Sequence, residues 1–400
     1  MAAVPVSTPV PAPPAARLDS IDALRGLVMV LMALDHTRDF FHFGATQGYD
    51  PLDYHHTTPA LFFTRWITHF CAPTFIFLAG LGAFLSGARG KSRRELSWFL
   101  LTRGLWLVLL EITFVQWAGW SFALEWQIHY ANVIWAIGWS MVALAALVHL
   151  PIRAVGAIGL VMIASHNVFD RVTPDSLGAL APLWRILHEG GRVELGGGHV
   201  IATGYPLVPW IGVMAAGYAF GPLLLHPTRT RHTFLLRLGF GLIAAFVVLR
   251  ASNLYGDTRP WTGQSKPLQT LYAFLDCRKY PPSLCYLLMT LGPALVVLGL
   301  LDRRLPPWLQ PLLCFGRVPM FFYLLHLPLL HGLAVLAAQL KWGRADWLFG
   351  TDAAKPPVDA GFGLVTTYAA WGLGIALLFF ACRWFAEIKR RNRSPWLRYF

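Results

Sequence analysis

The chain carries little charge for its length. Asp, Glu, Lys and Arg make up 13% of its 400 residues, whereas hydrophobic residues make up 56%. Soluble domains hold about 25% charged residues, which they need to cover their surface with groups that bind water. The composition therefore excludes an ordinary soluble fold and indicates a membrane protein whose apolar surface is covered by lipid.

Other absences exclude classes of function. The formal net charge of +13 would suit nucleic acid, but no basic–aromatic nucleic-acid-binding motif is present, so no such partner is expected. The five cysteines form no CxxC pair and no zinc spacing, so no metal site is expected. Cys277 and Cys285 could meet at the outer face of the membrane, and whether they pair stays open. No repeat of fixed short period is evident and the two halves show no convincing similarity, which counts against transporters built from inverted repeats.

The N-terminus lacks the basic segment and the continuous apolar core of a signal peptide. Residues 1–16, MAAVPVSTPVPAPPAA, are predicted to form a disordered Pro/Ala-rich tail, with Arg17 as the first anchor. Ten apolar stretches follow, most of them close to the 20 residues that cross a bilayer. They lie near 22–42, 60–86, 98–121, 129–149, 152–170, 205–225, 233–253, 283–301, 312–340 and 364–386. The predicted fold is an all-α polytopic membrane protein with ten spans; the tight boundary at Pro151 leaves nine or eleven open.

Basic residues concentrate in alternate connectors, most of them short. These connectors are the segment with Arg17 and Arg25, residues 87–97, Arg153, 226–232, Arg303 with Arg304, and the basic tail 389–400. The opposite set contains most of the long loops (43–59, 171–204, 254–282 and 341–363) and ten acidic residues. Because Lys and Arg favour the cytoplasmic side, both termini are predicted to be cytoplasmic in a multi-pass protein of the cytoplasmic (inner) membrane.

The first predicted span is polar in its outer half. Asp35, His36, Arg38, Asp39 and His42 occur within eight residues, and helical spacing places Asp35, Asp39 and His42 along one side. Ionisable groups near a membrane interface need partners or water. One interpretation is an ion-paired helix end at the water boundary. The other is a polar pocket in which His36 is a general base oriented by a carboxylate, since an imidazole titrates near neutral pH.

The second predicted span begins with further polar residues. Arg65 and His69 are four residues apart and share a helix face. Arg65 either neutralises Asp35 or Asp39, or stabilises an oxyanion or an acidic substrate group. The first two spans are expected to pack together, with a carboxylate of Asp35 or Asp39 within salt-bridge or one-water distance of Arg38 or Arg65.

Other ionisable residues in predicted spans give weaker signals. Glu111 lies within the third span, and His326 and His331 lie in the ninth. An isolated histidine inside a membrane is usually hydrogen-bonded to a neighbouring helix, but His326, close to Pro328, could instead line the cavity.

Several segments together resemble a known family. RLDSIDALRGLVMVLMALDH and TFIFLAGLGAFL, at the first and second spans, are similar to the heparan-α-glucosaminide N-acetyltransferase family and its bacterial relatives. YPLVPWIGVMAAGYAFG, KYPPSLCYLLMTLGP and FGRVPMFFYLLHLPLLH are typical of the bacterial branch, so the similarity spans most of residues 17–340. The Arg-Gly pair with a histidine eleven residues after the arginine also resembles acyltransferase 3-type membrane proteins that O-acylate surface sugars.

The resemblance implies an activity and assigns residues to it. Such proteins move acetyl from cytosolic acetyl-CoA to a sugar amine or hydroxyl beyond the membrane, without a metal, and residues 17–388 would form the transmembrane acyltransferase domain. The essential histidine of the O-acylating relatives corresponds to His36. The animal acetyltransferases have Asn at this position and a later active histidine, so its counterpart here stays open among His42, His55 or none.

The implied mechanism distributes roles among the polar residues. The donor-binding candidates are Arg25, Arg93, Arg94 and Arg103. The catalytic candidates are His36, Asp35, Asp39, Arg65 and His69, and the substrate-side candidates are Arg38, His42 and His326. Arginines pair well with phosphates, and His36 would deprotonate the acceptor or take the acetyl group covalently.

The alternative interpretation is a proton-coupled transporter that uses the same Asp/His/Arg cluster, and a non-catalytic membrane scaffold is the third. The expected partners are the lipid bilayer, acetyl-CoA and a sugar or glycan acceptor. Acceptor identity, N- or O-acylation, acyl length and assembly into a homo-oligomer stay open.

Overall fold

The computed structural model describes residues 18–124, 126–350, 354–392, 394 and 397. The predicted tail 1–16 and its anchor Arg17 lie outside the described residues. So do Asp352 of the acidic loops and Arg393 and Arg398 of the basic tail.

The described residues are mostly helical. Their α-helices are Asp19–Phe41 (α1), Phe43–Thr46 (α2), Pro59–Ile67 (α3), Cys71–Ala88 (α4), Arg93–Leu110 (α5), Val133–Leu147 (α6), Ile152–Ser165 (α7), Ala181–Trp184 (α8), Leu207–Phe220 (α9), Thr228–Ser252 (α10), Pro267–Leu275 (α11), Leu284–Arg303 (α12), Gln310–Arg317 (α13), Pro319–Trp342 (α14) and Leu364–Arg391 (α15). Short 3-10 helices lie at Thr68–Phe70, His166–Phe169, Pro174–Leu180, Gly221–Leu225, Pro307–Leu309 and Asp346–Leu348, and π-helices at Glu111–Ser121 and Arg185–Glu189.

Eight helical segments in the described residues are long and apolar enough to cross a membrane. They are Pro59–Ala88, Arg93–Ser121, Ile152–Phe169, Leu207–Leu225, Thr228–Ser252, Leu284–Arg303, Pro319–Trp342 and Leu364–Arg391. These eight correspond to eight of the ten predicted spans. The other two correspond to α1, which holds six charged residues in 23, and to α6, which has only 15 residues.

Two predicted spans differ in detail from the helices found. The predicted span 129–149 begins as a β-strand, Ile128–Ala131, and becomes helical only at Val133. The buried Glu111 caps this helix, because its Oε2 accepts a hydrogen bond from the Ile134 N–H at 3.1 Å. The predicted span 312–340 is divided at Val318, whose backbone leaves the helical region (φ −131°, ψ 53°), so α13 and α14 are separate helices.

The purely α-helical prediction needs one correction. Strands Ile128–Ala131 (β1), Gly191–Gly196 (β2) and His199–Thr203 (β3) form a small sheet of order β1-β3-β2. β1 pairs with β3 in parallel, Ile128 opposite Val200, and β2 pairs with β3 antiparallel, Val193 opposite Ile201. The sheet lies in the connecting loops, where alternating apolar residues such as Val193 and Val200 are buried.

Small residues allow the helices to pack closely. A methyl group placed on Gly80 of α4 would lie 2.0 Å from the Met214 carbonyl oxygen of α9. Similarly, a methyl group on Gly26 of α1 would lie 2.1 Å from the Leu312 carbonyl oxygen of α13. Contact between backbones is a common way for membrane helices to associate, since lipid supplies no hydrophobic driving force between them.

Helix α1 is the central element of the bundle. It packs against α4, α12, α13, α14 and α15. The Arg25 guanidinium donates to the Gly316 carbonyl oxygen at 3.0 Å, and the Trp371 indole donates to the Val30 carbonyl oxygen at 3.0 Å. These two contacts hold the N-terminal half of α1 against α13 and α15.

Candidate active site

A cavity of about 180 Å³, which we call the polar chamber, lies beside the C-terminal half of α1. Helices α1, α3, α4 and α14 contribute to its walls, together with the segments that precede α6, α9 and α12. The lining residues are Met32, Asp35, His36, Arg38, Asp39, Arg65, Thr68, Cys71, Ala72, Phe75, Trp120, Asn132, Val133, Tyr205, Lys279, Tyr280 and Tyr323.

Two arginines hold Asp35. The Arg65 Nη1 lies 2.7 Å from Asp35 Oδ2 and 3.0 Å from Oδ1, and the Arg38 Nη2 lies 3.1 Å from Oδ1. The Asp35 and Arg65 side chains are only 13% and 14% exposed. The predicted pairing between the first two spans is therefore confirmed.

Arg38 also binds the second carboxylate. Its Nη2 lies 2.6 Å from Asp39 Oδ1, so one guanidinium joins Asp35 and Asp39 on the same face of α1. Arg65 in turn donates to the Thr68 hydroxyl at 3.0 Å. These contacts form one ion-pair network along the chamber wall and satisfy charges that would otherwise be costly to bury.

The His36 imidazole lies in the same chamber. Its Nδ1 is 3.6 Å from Asp39 Oδ2, beyond hydrogen-bonding distance, and makes no hydrogen bond with a described residue. The ring packs edge-on against Trp120 with centroids 4.9 Å apart, and the His326 ring centroid lies 5.3 Å away. The imidazole is therefore confined by aromatic contacts with a carboxylate close by, an arrangement that suits a proton acceptor.

Three predicted site histidines lie outside the chamber lining. His69 is 1% exposed, and its backbone carbonyl accepts from the Tyr286 hydroxyl at 2.8 Å. His326 is fully buried, with Nδ1 2.6 Å from the Tyr323 carbonyl oxygen. His42 caps α2, because its Nδ1 accepts from the Gly44 N–H at 3.1 Å.

Burial and the nearby Arg38 lower the pKa of His42 to about 4, so its imidazole is neutral at pH 7. The capping role needs an unprotonated Nδ1 that can accept a hydrogen bond. The substrate-side roles of His42 and His326 stay predictions, as does the catalytic role of His69.

The loop before α12 completes the chamber with residues that sequence reasoning missed. Lys279 is 9% exposed, and its Nζ lies 5.0 Å from the Tyr280 ring centroid. Desolvation opposes ionisation of Tyr280, but the nearby charges of Lys279 and Arg65 outweigh it and lower the pKa of this phenol below its usual value. The sequence signal was the Lys-Tyr pair directly before an apolar span.

A second cavity, of about 310 Å³ and here called the apolar tunnel, adjoins the chamber. The two cavities share Met32, Phe75, Val133 and Tyr323. Away from the chamber, the tunnel lining includes Arg25 and Arg103 but is otherwise mostly apolar.

A third cavity, of about 1200 Å³ and here called the basic vestibule, adjoins the tunnel at Arg25 and Gly82. Its charged lining residues are Arg25, Arg89, Arg317, Arg383, Lys389 and Arg390, with Asp22 and Glu387 as the acidic ones. The three cavities thus follow one another from a basic surface through an apolar passage to the polar chamber.

Two predicted donor-binding residues lie elsewhere. Neither Arg93 nor Arg94 lines the tunnel or the vestibule, and the Arg93 guanidinium donates to the His149 carbonyl oxygen at 2.7 Å. Arg25 and Arg103, by contrast, both line the tunnel.

The structure answers the question about cysteine pairing. Cys277 and Cys285 are both buried and carry free thiols. In the ranges that the structure describes, no group of three or more His, Cys, Asp or Glu residues is arranged to hold a metal ion.

Comparison with known protein families finds a match to part of this chain. A sequence model described as "Heparan-alpha-glucosaminide N-acetyltransferase, catalytic" matches residues 17–253. The chain belongs to this family. Its family membership, together with the apolar helices, identifies the protein as a membrane acetyltransferase by type. No curated protein matches the chain. The matched residues include the ion-pair network and His36 but not Lys279, Tyr280 or Tyr323.

Proposed function

We propose that the protein transfers an acetyl group from cytosolic acetyl-CoA to an amine or hydroxyl of a sugar or glycan at the outer face of the membrane. In this proposal α1 and α6 are two further spans, which gives ten spans with both termini in the cytoplasm. The basic vestibule, lined by residues near both termini, then opens to the cytoplasm.

The order of the three cavities carries the proposal. The donor consists of a phosphorylated nucleotide, a long pantetheine arm and a reactive thioester. A basic vestibule, an apolar tunnel and a polar chamber follow one another in the corresponding order. The phosphates would bind among the vestibule arginines, since arginine forms strong charge-assisted hydrogen bonds with phosphate. Arg25, where the vestibule meets the tunnel, and Arg103, in the tunnel wall, would also bind the donor.

His36 is the general base of the proposed transfer. It would take the proton from the acceptor amine or hydroxyl while that nitrogen or oxygen attacks the thioester carbon. Asp39, 3.6 Å from His36 Nδ1, would stabilise the imidazolium that forms. The C–S bond then breaks, and the CoA thiolate accepts the proton from His36, so the products are the acetylated acceptor and free CoA.

The network around Asp35 serves this base indirectly. Arg65 and Arg38 both bind Asp35 and so fix the face of α1 that carries His36. Arg65 is occupied by Asp35 and Thr68, which favours its neutralising role over direct oxyanion binding. A transition-state role for Arg65 or His69 would require these contacts to rearrange.

Binding of acetyl-CoA separates this proposal from a proton-coupled transporter, which has no use for the nucleotide. Purified protein titrated with acetyl-CoA is expected to bind it, and Arg103→Gln is expected to weaken binding. Arg192→Gln, on the exposed strand β2, is the matched control and is expected to bind normally. Labelled acetyl-CoA with extracted envelope glycans then tests transfer. A protein that binds no acetyl-CoA and labels no glycan contradicts the proposed function.

A further inference from the structure

Tyr323 lies where the apolar tunnel meets the polar chamber. It belongs to the first turns of α14 and lines both cavities, although its side chain is only 7% exposed. Its backbone carbonyl accepts from His326 Nδ1 at 2.6 Å, and its ring packs against the His326 ring with centroids 5.3 Å apart. Its hydroxyl makes no hydrogen bond with any residue that the structure describes, and it is not fully buried, so it is open to the cavities that Tyr323 lines.

A hydroxyl that faces a cavity and has no protein partner is free to bind a molecule that enters that cavity. A phenol can donate one hydrogen bond to an acceptor atom of a bound molecule. An acceptor atom placed at the junction of the two cavities would satisfy this hydroxyl.

The other residues of the junction cannot donate. The tunnel and the chamber share four lining residues, and Met32, Phe75 and Val133 have apolar side chains. Arg65 is bonded to Asp35, and Lys279 lies against Tyr280 in the loop before α12. A thioester that arrived through the tunnel would therefore meet one side-chain donor among the four shared residues, the Tyr323 hydroxyl, whereas the unpartnered Trp120 indole N–H lines the chamber but not the tunnel.

We propose that Tyr323 is a catalytic residue whose hydroxyl donates a hydrogen bond to the thioester carbonyl oxygen. This inference rests on the proposed function and adds a residue beyond the family match at 17–253. When the acceptor attacks, the carbonyl π electrons move to the oxygen, and the hydrogen bond from Tyr323 shortens as charge develops there. The oxygen returns these electrons when the C–S bond breaks, so Tyr323 exchanges no proton in the net reaction. Donors aimed at developing charge lower the barrier in this way.

Tyr323→Phe removes only the hydroxyl and should not disturb folding, since the hydroxyl has no partner. Tyr272→Phe is a matched control: Tyr272 is 2% exposed, its hydroxyl also lacks a partner, and it lines none of the three cavities. Acetyl transfer by Tyr323→Phe is expected to fall by about 10²–10³-fold, the effect of removing one oxyanion donor, whereas acetyl-CoA binding should weaken by no more than about tenfold, the effect of losing one ordinary hydrogen bond. Tyr272→Phe is expected to match the wild type.

A spectroscopic measurement tests the hydrogen bond itself. Acetyl-CoA labelled with ¹³C at the thioester carbonyl is bound to each protein without acceptor, and isotope-edited infrared spectra are recorded. The carbonyl band should lie at lower wavenumber in wild type and Tyr272→Phe than in Tyr323→Phe. Equal turnover or an equal band position in wild type and Tyr323→Phe overturns the role of Tyr323 while the proposed function stands. Wild-type protein that does not bind acetyl-CoA overturns both.

Discussion

The buried pair between Asp35 and Arg65 offers a quantitative test of how the site is held. The change is Arg65→Met, which keeps an unbranched apolar stem but removes the guanidinium. Asp35 would lose contacts of 2.7 and 3.0 Å to both of its oxygens and keep only the 3.1 Å contact from Arg38. Removing one partner of a buried pair costs about 3–5 kcal/mol, because the other charge stays buried. Because the contact with Arg38 remains, the expected loss of unfolding free energy lies near the lower end of this range.

Equilibrium unfolding in mixed micelles titrated with SDS, followed by tryptophan fluorescence, measures the loss. The control is Arg259→Met. Arg259 lies 3.6 Å from Asp276 and its side chain is 58% exposed, so water screens the pair and the expected cost is about 0.2–1 kcal/mol.

The double variant Asp35→Asn with Arg65→Met supplies the decisive comparison. Without the carboxylate charge, the loss of Arg65 should cost much less, so the two substitutions should be less destabilising together than the sum of the single effects. Couplings between contacting residues are about 0.5–3 kcal/mol. Additive effects, or an Arg65→Met loss no larger than that of Arg259→Met, would show that the pair does not hold the chamber wall.

Three other outcomes follow from the structure and the proposed function. His36→Ala should lower acetyl transfer by about 10²–10⁴-fold with acetyl-CoA binding intact. His36→Asn should lower acetyl transfer as much, because an amide cannot accept the proton. An active His36→Asn variant would show that His36 is not the base. Gly80→Ala should destabilise the protein by about 1–3 kcal/mol by overpacking, since the new methyl group meets the Met214 carbonyl oxygen. The control is Gly241→Ala, whose methyl group would have no atom within 4 Å and should leave the thermal melting curve unchanged. A reporter phosphatase that is active only outside the cytoplasm, fused after Phe400, should be inactive in intact cells. An active fusion would contradict ten spans with cytoplasmic termini.

The apolar helices were predictable because a bilayer imposes one length and one composition on them. Eight of the ten predicted spans correspond to helices that meet those requirements. The strand Ile128–Ala131 was not predictable in this way, because its pairing partner is about 70 residues distant, in β3. The division at Val318 was missed for a related reason: α13 and α14 are both apolar, and hydropathy does not record a change of backbone direction.

The polar site was predictable only where its residues are close together in the sequence. Asp35, Arg38 and Asp39 share a helix face, so helical spacing brought them together before the fold was known. Arg65 needed one further assumption, that consecutive spans pack side by side. Lys279 and Tyr323 reach the chamber from remote segments, and a lysine or a tyrosine at the end of an apolar span is too common a feature to mark a site.

The proposed site therefore depends on residues beyond those that the family model matches. Within 17–253, α1 supplies the ion pairs and the proposed base. Its remaining faces are covered by later helices. Ser20 donates a hydrogen bond to Asp302 of α12 at 3.0 Å, and Arg25 donates to the Gly316 carbonyl of α13. Trp371 of α15 donates to the Val30 carbonyl. Without these helices, lipid would reach the charged face of α1, where unpaired ionisable groups are costly. The tunnel would also lose the wall that α14 contributes, and with it the junction at which Tyr323 separates an apolar passage from a polar chamber.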